Sequence, residues 1–264
     1  KYIDADTPGK FYNVLNEALE SSFAKTTVSV QLLDGNQMPT ETNVNITFAN
    51  SLTGAPMYDF VHFLDRQGKP DTVQIDPVVE YDLIVNSVPP VIKRNVAITI
   101  GKHNVITIPA PQGNLLIQQE GRRDNNLQSI IREKGKLEVI HTQQSNLPFR
   151  YITGKYTVET LTLPRRTFEV DIQPNKTSTI LLPAPGVVNF NTIATGYGSL
   201  YELKDGTQEW ICNLNELKSQ FTLTMLPGQY KIVFRVKQTT GSKYTGYKNF
   251  TLRKGETLTV NVFN

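Results

Sequence analysis

Hydrophobic and polar residues alternate along most of this chain, and this alternation predicts β-strands. Residues 94–100, 166–172 and 226–236 place an apolar side chain at about every second position, as strands with one buried face require. Turn-forming Gly, Pro, Asn and Asp residues separate such runs. We therefore predict an all-β fold of three tandem β-sandwiches, of transthyretin-like or immunoglobulin-like type, preceded by one N-terminal amphipathic helix.

One strand-turn pattern occurs three times. In its clearest copy, the turn residues of Leu226-Pro-Gly-Gln-Tyr230 lead a tyrosine into an alternating strand. A second copy starts at Gly154-Lys-Tyr156, and a third, without the glycine, starts at Tyr81. The position of Tyr230 predicts a corner tyrosine whose hydroxyl bonds back to the preceding loop.

Two proline-rich stretches divide the chain. Pro109-Ala-Pro-Gln-Gly113 and Pro183-Ala-Pro-Gly186 are near copies of each other, and they suggest sandwiches over 26–111, 112–185 and 186–264. Since prolines restrict the backbone, linkers this short predict sandwiches placed end to end with limited swivel.

Residues 1–25 carry the one helical pattern. Thr7 can cap this helix and Pro8 suits its first turn. An apolar face then recurs at helical spacing, formed by Phe11, Val14, Leu15, Ala18 and Phe23. Such a face must be buried, either on the first sandwich or within an α/β domain that this helix closes.

The helix and the strand after it resemble a known junction. Residues 11–20, followed by 26–35, are similar to the closing helix of a von Willebrand factor A-type domain joined to a downstream sandwich. Bacterial envelope proteins of that layout carry such a junction. The Asp-x-Ser-x-Ser metal motif of that family does not occur here, so we assign no metal ligand.

The repeats resemble a second family. Leu226-Pro-Gly-Gln-Tyr230 and Thr153-Gly-Lys-Tyr156 are similar to the turns of transthyretin-like or carboxypeptidase-regulatory-like sandwich repeats. The resemblance covers most of residues 26–264 and implies a fold, not an activity.

Composition excludes several function classes. The net charge is +3, from 27 basic and 24 acidic residues, and the basic residues are dispersed. Because binding to a nucleic-acid backbone needs several cations on one surface, we expect no nucleic-acid partner. No apolar run is long enough to cross a membrane, and Cys212, the single cysteine, excludes an intrachain disulfide.

Catalytic and metal-binding patterns are missing from the sequence. His62, His103 and His141 do not have metal-ligand spacing, and we predict strand-face positions for His62 and His141 and an exposed turn for His103. No nucleophile elbow, phosphate loop or dinucleotide motif occurs, so we expect no enzyme and no cofactor. The surroundings of Cys212 indicate a small buried residue and not a nucleophile.

Aromatic residues concentrate in the third predicted sandwich. Tyr197, Tyr201, Tyr244 and Tyr247 are candidates for contact with a protein or a glycan. Trp210 and Tyr230 are interpreted as core residues, because large aromatics usually fill cores. The alternative is an exposed aromatic platform that includes Trp210.

Three functions remain open at this point. The first is a non-catalytic structural region of a bacterial cell-envelope protein, periplasmic or envelope-associated, which acts as a rod and contacts other proteins of an envelope complex. The second is an array of carbohydrate-binding modules of similar fold. The third is a fragment of an enzyme whose catalytic part precedes Lys1.

Overall fold

The computed structural model describes residues 9, 10, 12, 26–121, 126–217 and 219–262. Of the predicted helix, only Gly9, Lys10 and Tyr12 are described, and they have helical geometry. The whole apolar face of that helix lies outside the described residues, namely Phe11, Val14, Leu15, Ala18 and Phe23. The helix and the burial of its apolar face therefore stay predictions.

The regular structure in the rest of the described chain is almost all β-strand, as predicted. The first seven strands are Thr27–Leu33 (β1), Asn45–Asn50 (β2), Pro56–Val61 (β3), Thr72–Gln74 (β4), Tyr81–Val85 (β5), Val91–Val96 (β6) and His103–Pro109 (β7). The next seven are Gln112–Gln119 (β8), Gln128–Glu133 (β9), His141–Gln144 (β10), Phe149–Ile152 (β11), Gly154–Thr160 (β12), Arg166–Ile172 (β13) and Thr177–Leu182 (β14). The last seven are Gly186–Asn191 (β15), Gly196–Lys204 (β16), Thr207–Leu217 (β17), Gln220–Met225 (β18), Gly228–Val236 (β19), Gly246–Leu252 (β20) and Thr257–Asn261 (β21).

These strands form three pairs of sheets with one repeated strand order. In the first pair, β3-β2-β5-β6 make a four-stranded sheet and β4-β1-β7 a three-stranded sheet. The order recurs as β10-β9-β12-β13 with β11-β8-β14, and as β17-β16-β19-β20 with β18-β15-β21. The prediction that one β unit is used three times is confirmed by this strand order. We call the three pairs the first, second and third sandwich.

The first and last strands of a sandwich lie side by side. Residues of β1 pair in parallel with β7, and residues of β15 pair in parallel with β21. The other strand pairs described in these two sandwiches are antiparallel.

Apolar residues from the facing strands fill each interior. In the first sandwich, Val30 of β1, Phe48 of β2 and Leu83 of β5 are fully or almost fully buried in one cluster. In the third, Phe190 of β15 and Phe234 of β19 belong to a corresponding cluster. In the second, the buried residues include Leu115, Ile117, Ile131, Val158 and Leu182. Alternation along β5, β12 and β19 thus places one side chain of every two inside, as the sequence pattern predicts.

A corner tyrosine occupies the fifth strand of at least two sandwiches. The hydroxyl of Tyr230 donates a hydrogen bond of 2.7 Å to the carbonyl oxygen of Leu226, as predicted. Tyr81 makes the equivalent bond of 2.9 Å to the carbonyl oxygen of Asp76, although its turn has no glycine. Both side chains are fully buried, and burial raises the pKa of each phenol. Burial also raises the pKa of Tyr156, at the matching place in β12, to about 12.

The chain also divides into two compact units. Unit 1 comprises Lys1–Asn114, Arg150–Gly154 and Ile172–Lys176, and unit 2 comprises Leu115–Phe149, Lys155–Asp171 and Thr177–Asn264. Domains with boundaries at residues 111 and 185 stay a prediction.

Within unit 1, a buried carboxylate organises the start of β8. Glu41 is 3% exposed and accepts a hydrogen bond of 2.9 Å from the backbone N–H of Gln112. The guanidinium of Arg150 forms an ion pair with the same carboxylate. Because a buried charge is costly unless it is paired and hydrogen-bonded, these contacts account for a glutamate in this interior.

Within unit 2, three polar contacts join the second and third sandwiches. Arg166 of β13 forms an ion pair with Glu202 of β16, and the ammonium of Lys254 lies 2.8 Å from a carboxylate oxygen of Glu120. In addition, the backbone N–H of Leu226 donates a hydrogen bond of 2.7 Å to the carbonyl oxygen of Leu163. These contacts lie at several positions on the two sandwiches, and the limited swivel that the prolines predict at residues 183–186 stays a prediction.

Candidate functional site

Three of the four tyrosines predicted as contact residues lie on one sheet. Tyr197 and Tyr201 belong to β16, and Tyr247 belongs to β20 of the same four-stranded sheet. Tyr197 and Tyr247 are exposed to 37% and 66%. Tyr244 instead lies in a short 3₁₀ turn, Ser242–Tyr244, in the connection between β19 and β20.

Trp210 lies at the surface, so its interpretation as a core residue is wrong. Its side chain is 59% exposed, whereas Tyr230, the other residue interpreted as core, is fully buried. The cause is a β-bulge in β17. Cys212 pairs with Leu200 and Trp210 pairs with Tyr201, so that Ile211 is the extra residue between them. A bulge of one residue reverses the alternation, and Trp210 therefore faces outward.

Outward residues in the middle of this sheet form two rows across the strands. The first row is Trp210, Tyr201, Lys231 and Asn249, which are directly opposed from β17 to β20. The second row is Asn213, Ser199, Val233 and Tyr247. Tyr197 and Arg235, an opposed pair, extend the surface beyond the second row. We call the surface formed by these ten residues the aromatic face.

The indole of Trp210 is held in place by hydrogen bonds along the sheet. Its Nε1–H donates a bond of 3.2 Å to Oδ1 of Asn213. The hydroxyl of Ser199, on the neighbouring strand, donates a second bond of 2.9 Å to the same oxygen. One edge of the indole is thus held by a hydrogen bond, although 59% of the residue is exposed.

Two cations complete the aromatic face, and each lies against a tyrosine ring. The ammonium of Lys231 is 4.6 Å from the centre of the Tyr247 ring and 3.1 Å from Oε1 of Gln208. The guanidinium carbon of Arg235 is 6.0 Å from the centre of the Tyr197 ring, and Nη1 of Arg235 donates to the carbonyl oxygen of Thr239. These contacts position the cations by cation–π attraction and hydrogen bonding, and both residues are half-buried.

A glycine allows the close packing beneath this surface. A Cβ atom added to Gly198 of β16 would lie 2.4 Å from the carbonyl oxygen of Val233 and 3.1 Å from the ring of Phe234. Because real Cβ atoms do not approach backbone oxygen so closely, a side chain there would displace β16 from β19. The Gly-Tyr-Gly-Ser sequence at 196–199 thus combines close strand packing with an outward tyrosine.

The non-aromatic members of the aromatic face were not predicted as contact residues from the sequence. Lys231, Val233 and Arg235 alternate with the buried Tyr230, Ile232 and Phe234, so their outward position was contained in the strand pattern. Asn213 and Ser199 gave no such signal, because their role depends on the register across the bulge.

The histidines make structural contacts. His62 is 1% exposed, and its Nε2 lies 2.8 Å from the carbonyl oxygen of Val30. His103 is exposed, as predicted, and bridges the hydroxyls of Thr27 and Ser29 at 3.0 and 3.1 Å. His141 is stacked on Phe149 with ring centres 4.1 Å apart, and burial lowers its pKa.

Cys212 is half-buried, and burial raises the pKa of its thiol. A raised pKa reduces the thiolate fraction on which nucleophilic attack depends. Within the described ranges, no three His, Cys, Asp or Glu side chains are placed to hold a metal ion together. Nor does any helix in that part of the chain have the length and apolar character that a membrane span requires.

Comparison with models of protein families and with curated proteins gives no match. Among solved structures, the chain is similar to the Bacillus anthracis TIE protein, at 13% identity and a TM-score of 0.26, over 91% of this chain and 50% of that one. It is also similar to a streptococcal ancillary pilin, at 10% identity and a TM-score of 0.30, over 90% and 99%. A third is BcpA, the major pilin subunit of Bacillus cereus, in a D312A variant, at 9% identity and a TM-score of 0.24, over 91% and 100%.

The chain thus spans about half the length of the Bacillus anthracis protein. Similarity at these TM-scores defines neither a shared fold nor a shared function. The two family resemblances seen in the sequence stay predictions.

Proposed function

We propose that this chain is a non-catalytic binding region of a bacterial cell-envelope protein and that the aromatic face is its contact surface. The exposed and hydrogen-bonded Trp210 carries this proposal. An indole that is 59% exposed gives up burial of a large apolar surface, and the bulge at Ile211 turns it outward. The bonds from Trp210 and Ser199 to Asn213 then fix the ring in advance of binding.

The joint within unit 2 supports the same role. Arg166 with Glu202 and Lys254 with Glu120 connect the second and third sandwiches on their polar surfaces. A contact surface presented by a stiff support loses less orientational freedom when a partner binds.

Proteins of an envelope complex are the first class of partner. Tryptophan, tyrosine and arginine are the residues most enriched among energetically dominant contacts between proteins. Trp210, Tyr197, Tyr201, Tyr247 and Arg235 are all members of the aromatic face.

Glycans are the second class, and a specific observation favours them. The exposed residues of the face are aromatic or carry amide groups, as in Asn213 and Asn249, and its aliphatic member, Val233, is half-buried. Protein contact surfaces combine aromatic residues with methionine and arginine around an apolar centre, whereas sugars require aromatic rings beside hydrogen-bonding groups.

Binding of the purified chain to isolated bacterial envelopes tests the proposal. We expect Trp210→Ala to lower the affinity for the envelopes, obtained from retention at several protein concentrations, about tenfold, which corresponds to about 1.4 kcal/mol. The control is Tyr244→Ala, which removes an exposed aromatic away from the sheet and should bind as the original chain does. Retention that is unchanged in Trp210→Ala would contradict the proposal.

Chemical or enzymatic treatment of the envelopes before the binding experiment distinguishes a protein partner from a glycan partner. Protease digestion should abolish retention if a protein is bound. Periodate oxidation, which cleaves vicinal diols of sugars, should abolish it if a glycan is bound.

A further inference from the structure

We propose that the aromatic face binds an acidic glycan, a chain of sugars that carry carboxylates, such as uronic acids. This inference rests on the proposed function and selects between its two classes of partner. Its basis is the combination, on one sheet surface, of a fixed indole, a second aromatic ring beside it and two cations.

The spacing of the first row suits a chain of sugar rings. Trp210 and Tyr201 are directly opposed on neighbouring strands, which are separated by about 4.8 Å. This separation is comparable to the length of one pyranose residue in a glycan chain. The C–H groups of a pyranose carry partial positive charge and pack on the negative face of an aromatic ring, so consecutive sugars can lie over consecutive rings.

Hydrogen-bonding groups lie beside the ring that would be stacked. Oδ1 of Asn213 accepts bonds from Trp210 and Ser199, which directs the amide nitrogen of Asn213 away from them. That nitrogen is placed to donate to a sugar hydroxyl next to the indole. A rigid donor beside a rigid ring lowers the entropic cost of binding a flexible glycan.

The charges of the aromatic face favour an acidic glycan over a neutral one. At positions of the aromatic face, Lys231 and Arg235 are the charged residues, and both are cationic. Among the described residues, no ion pair joins either of them to a carboxylate. Lys231 lies in the same row as Trp210, two strands away, at about 10 Å. A sugar over Trp210 therefore places the carboxylate of a following sugar near Lys231.

Trp210 also reports on binding directly, since it is the single tryptophan of the chain. The experiment is a fluorescence titration of the whole chain with three probes: an oligogalacturonate, its fully methyl-esterified form and poly-glutamate. The first two share one sugar backbone and differ in the methyl ester, which removes the carboxylate charge, and the third supplies that charge on a peptide. We expect a saturable change in Trp210 emission with the oligogalacturonate, and an affinity about tenfold lower for the ester.

Charge variants test the assignment of the two cations. Replacing both Lys231→Gln and Arg235→Gln should lower the affinity for the oligogalacturonate to that of the ester, without changing the affinity for the ester. Lys243→Gln is the matched control, because Lys243 also lies over a tyrosine ring, that of Tyr244 at 5.0 Å, but in the connecting turn. This control should bind all probes as the original chain does.

The outcomes separate this inference from the proposed function. Equal affinity for the oligogalacturonate and its ester overturns the inference, as does tighter binding of poly-glutamate, which would indicate an acidic protein partner. If no probe binds while Trp210→Ala abolishes retention on envelopes, the inference fails and the contact surface stands. If Trp210→Ala leaves that retention intact, the proposed function itself fails.

Discussion

Arg166 of the second sandwich and Glu202 of the third form a two-point ion pair, in which Nη1 lies 2.9 Å from Oε2 and Nη2 is bonded to Oε1. The Glu202 side chain is 9% exposed and that of Arg166 is 33% exposed. Hydrogen bonding to Glu202 raises the pKa of the guanidinium. The pair therefore connects the two sandwiches through a charge that is largely removed from water.

Arg166→Ala should destabilise unit 2 by about 2–3 kcal/mol, because it leaves the Glu202 carboxylate buried without a cation. Replacing both residues, as in Arg166→Met with Glu202→Leu, should recover much of that loss, since no buried charge then remains. Urea denaturation followed by Trp210 emission measures both changes. The exposed pair of Lys134 and Glu169 is the control, and Lys134→Ala should cost less than about 0.5 kcal/mol. Equal losses at the two pairs would contradict this prediction.

Acid should weaken the second sandwich through Glu159. Its carboxylate oxygens lie 2.9 Å from Arg132 and 2.9 Å from Arg165, and hydrogen bonds from these guanidinium groups lower its pKa. A carboxylate with a lowered folded-state pKa contributes stability above its unfolded-state pKa of about 4.3 and loses this contribution as the pH falls through the folded-state value.

Glu159→Gln should therefore be less stable than the original chain at pH 6, and this difference should shrink as the pH is lowered from 5 to 3. Denaturation midpoints at several pH values measure the difference. Glu169→Gln, at a carboxylate that is 65% exposed, should track the original chain at each pH. A difference for Glu159→Gln that is constant with pH would show that the charge does not contribute.

Tyr81 and Tyr230 should each stabilise their own sandwich, independently of the other. Tyr230→Phe removes the bond to Leu226 and leaves a buried carbonyl without that donor, at a cost of about 1–2 kcal/mol. Tyr81→Phe removes the bond to Asp76 and should cost a similar amount. Amide hydrogen exchange should show faster opening of β19 in the first variant and of β5 in the second. Tyr247→Phe, at an exposed ring, should change neither, and an equal effect of all three would contradict the prediction.

The tether of Trp210 can be measured without a ligand. Asn213→Ala removes the acceptor of both hydrogen bonds, so the indole should move more freely. Time-resolved fluorescence anisotropy should then show a larger fast component, while the stability changes by less than about 1 kcal/mol because the bonds are exposed. Thr222→Ala removes an exposed side-chain bond to Asn189 on the other sheet. It should leave the anisotropy unchanged, and an unchanged anisotropy in Asn213→Ala would exclude the tether.

Strand alternation predicted most of the fold. The inward series Tyr230, Ile232 and Phe234 follows from the period of two, and so does the outward series that contains Lys231 and Arg235. The repeated turn before Tyr230 also predicted the corner hydrogen bond. Tyr81 makes the same bond although its turn lacks the glycine. The corner hydrogen bond therefore does not depend on that turn sequence.

The main error at the candidate site concerns Trp210, which its size alone assigns to the core. Counting back from the buried Leu214 in steps of two places Cys212 and then Trp210 inside. The extra residue between the pairs Leu200–Cys212 and Tyr201–Trp210 reverses this count, and no pattern in the linear sequence marks its position. The contact between Ser199 and Asn213 depends on the same register and could not be predicted for the same reason.

In the first sandwich β1 and β7 are parallel neighbours, and in the third β15 and β21 are. This arrangement affects how further sandwiches can be added to the polypeptide. When the first and last strands of a sandwich run side by side in the same direction, the polypeptide arrives at one end of that sandwich and departs from the other. A further copy can then be appended by a linker of a few residues, without a segment that doubles back. Gene duplication can lengthen a chain of this kind one sandwich at a time while leaving every existing core untouched.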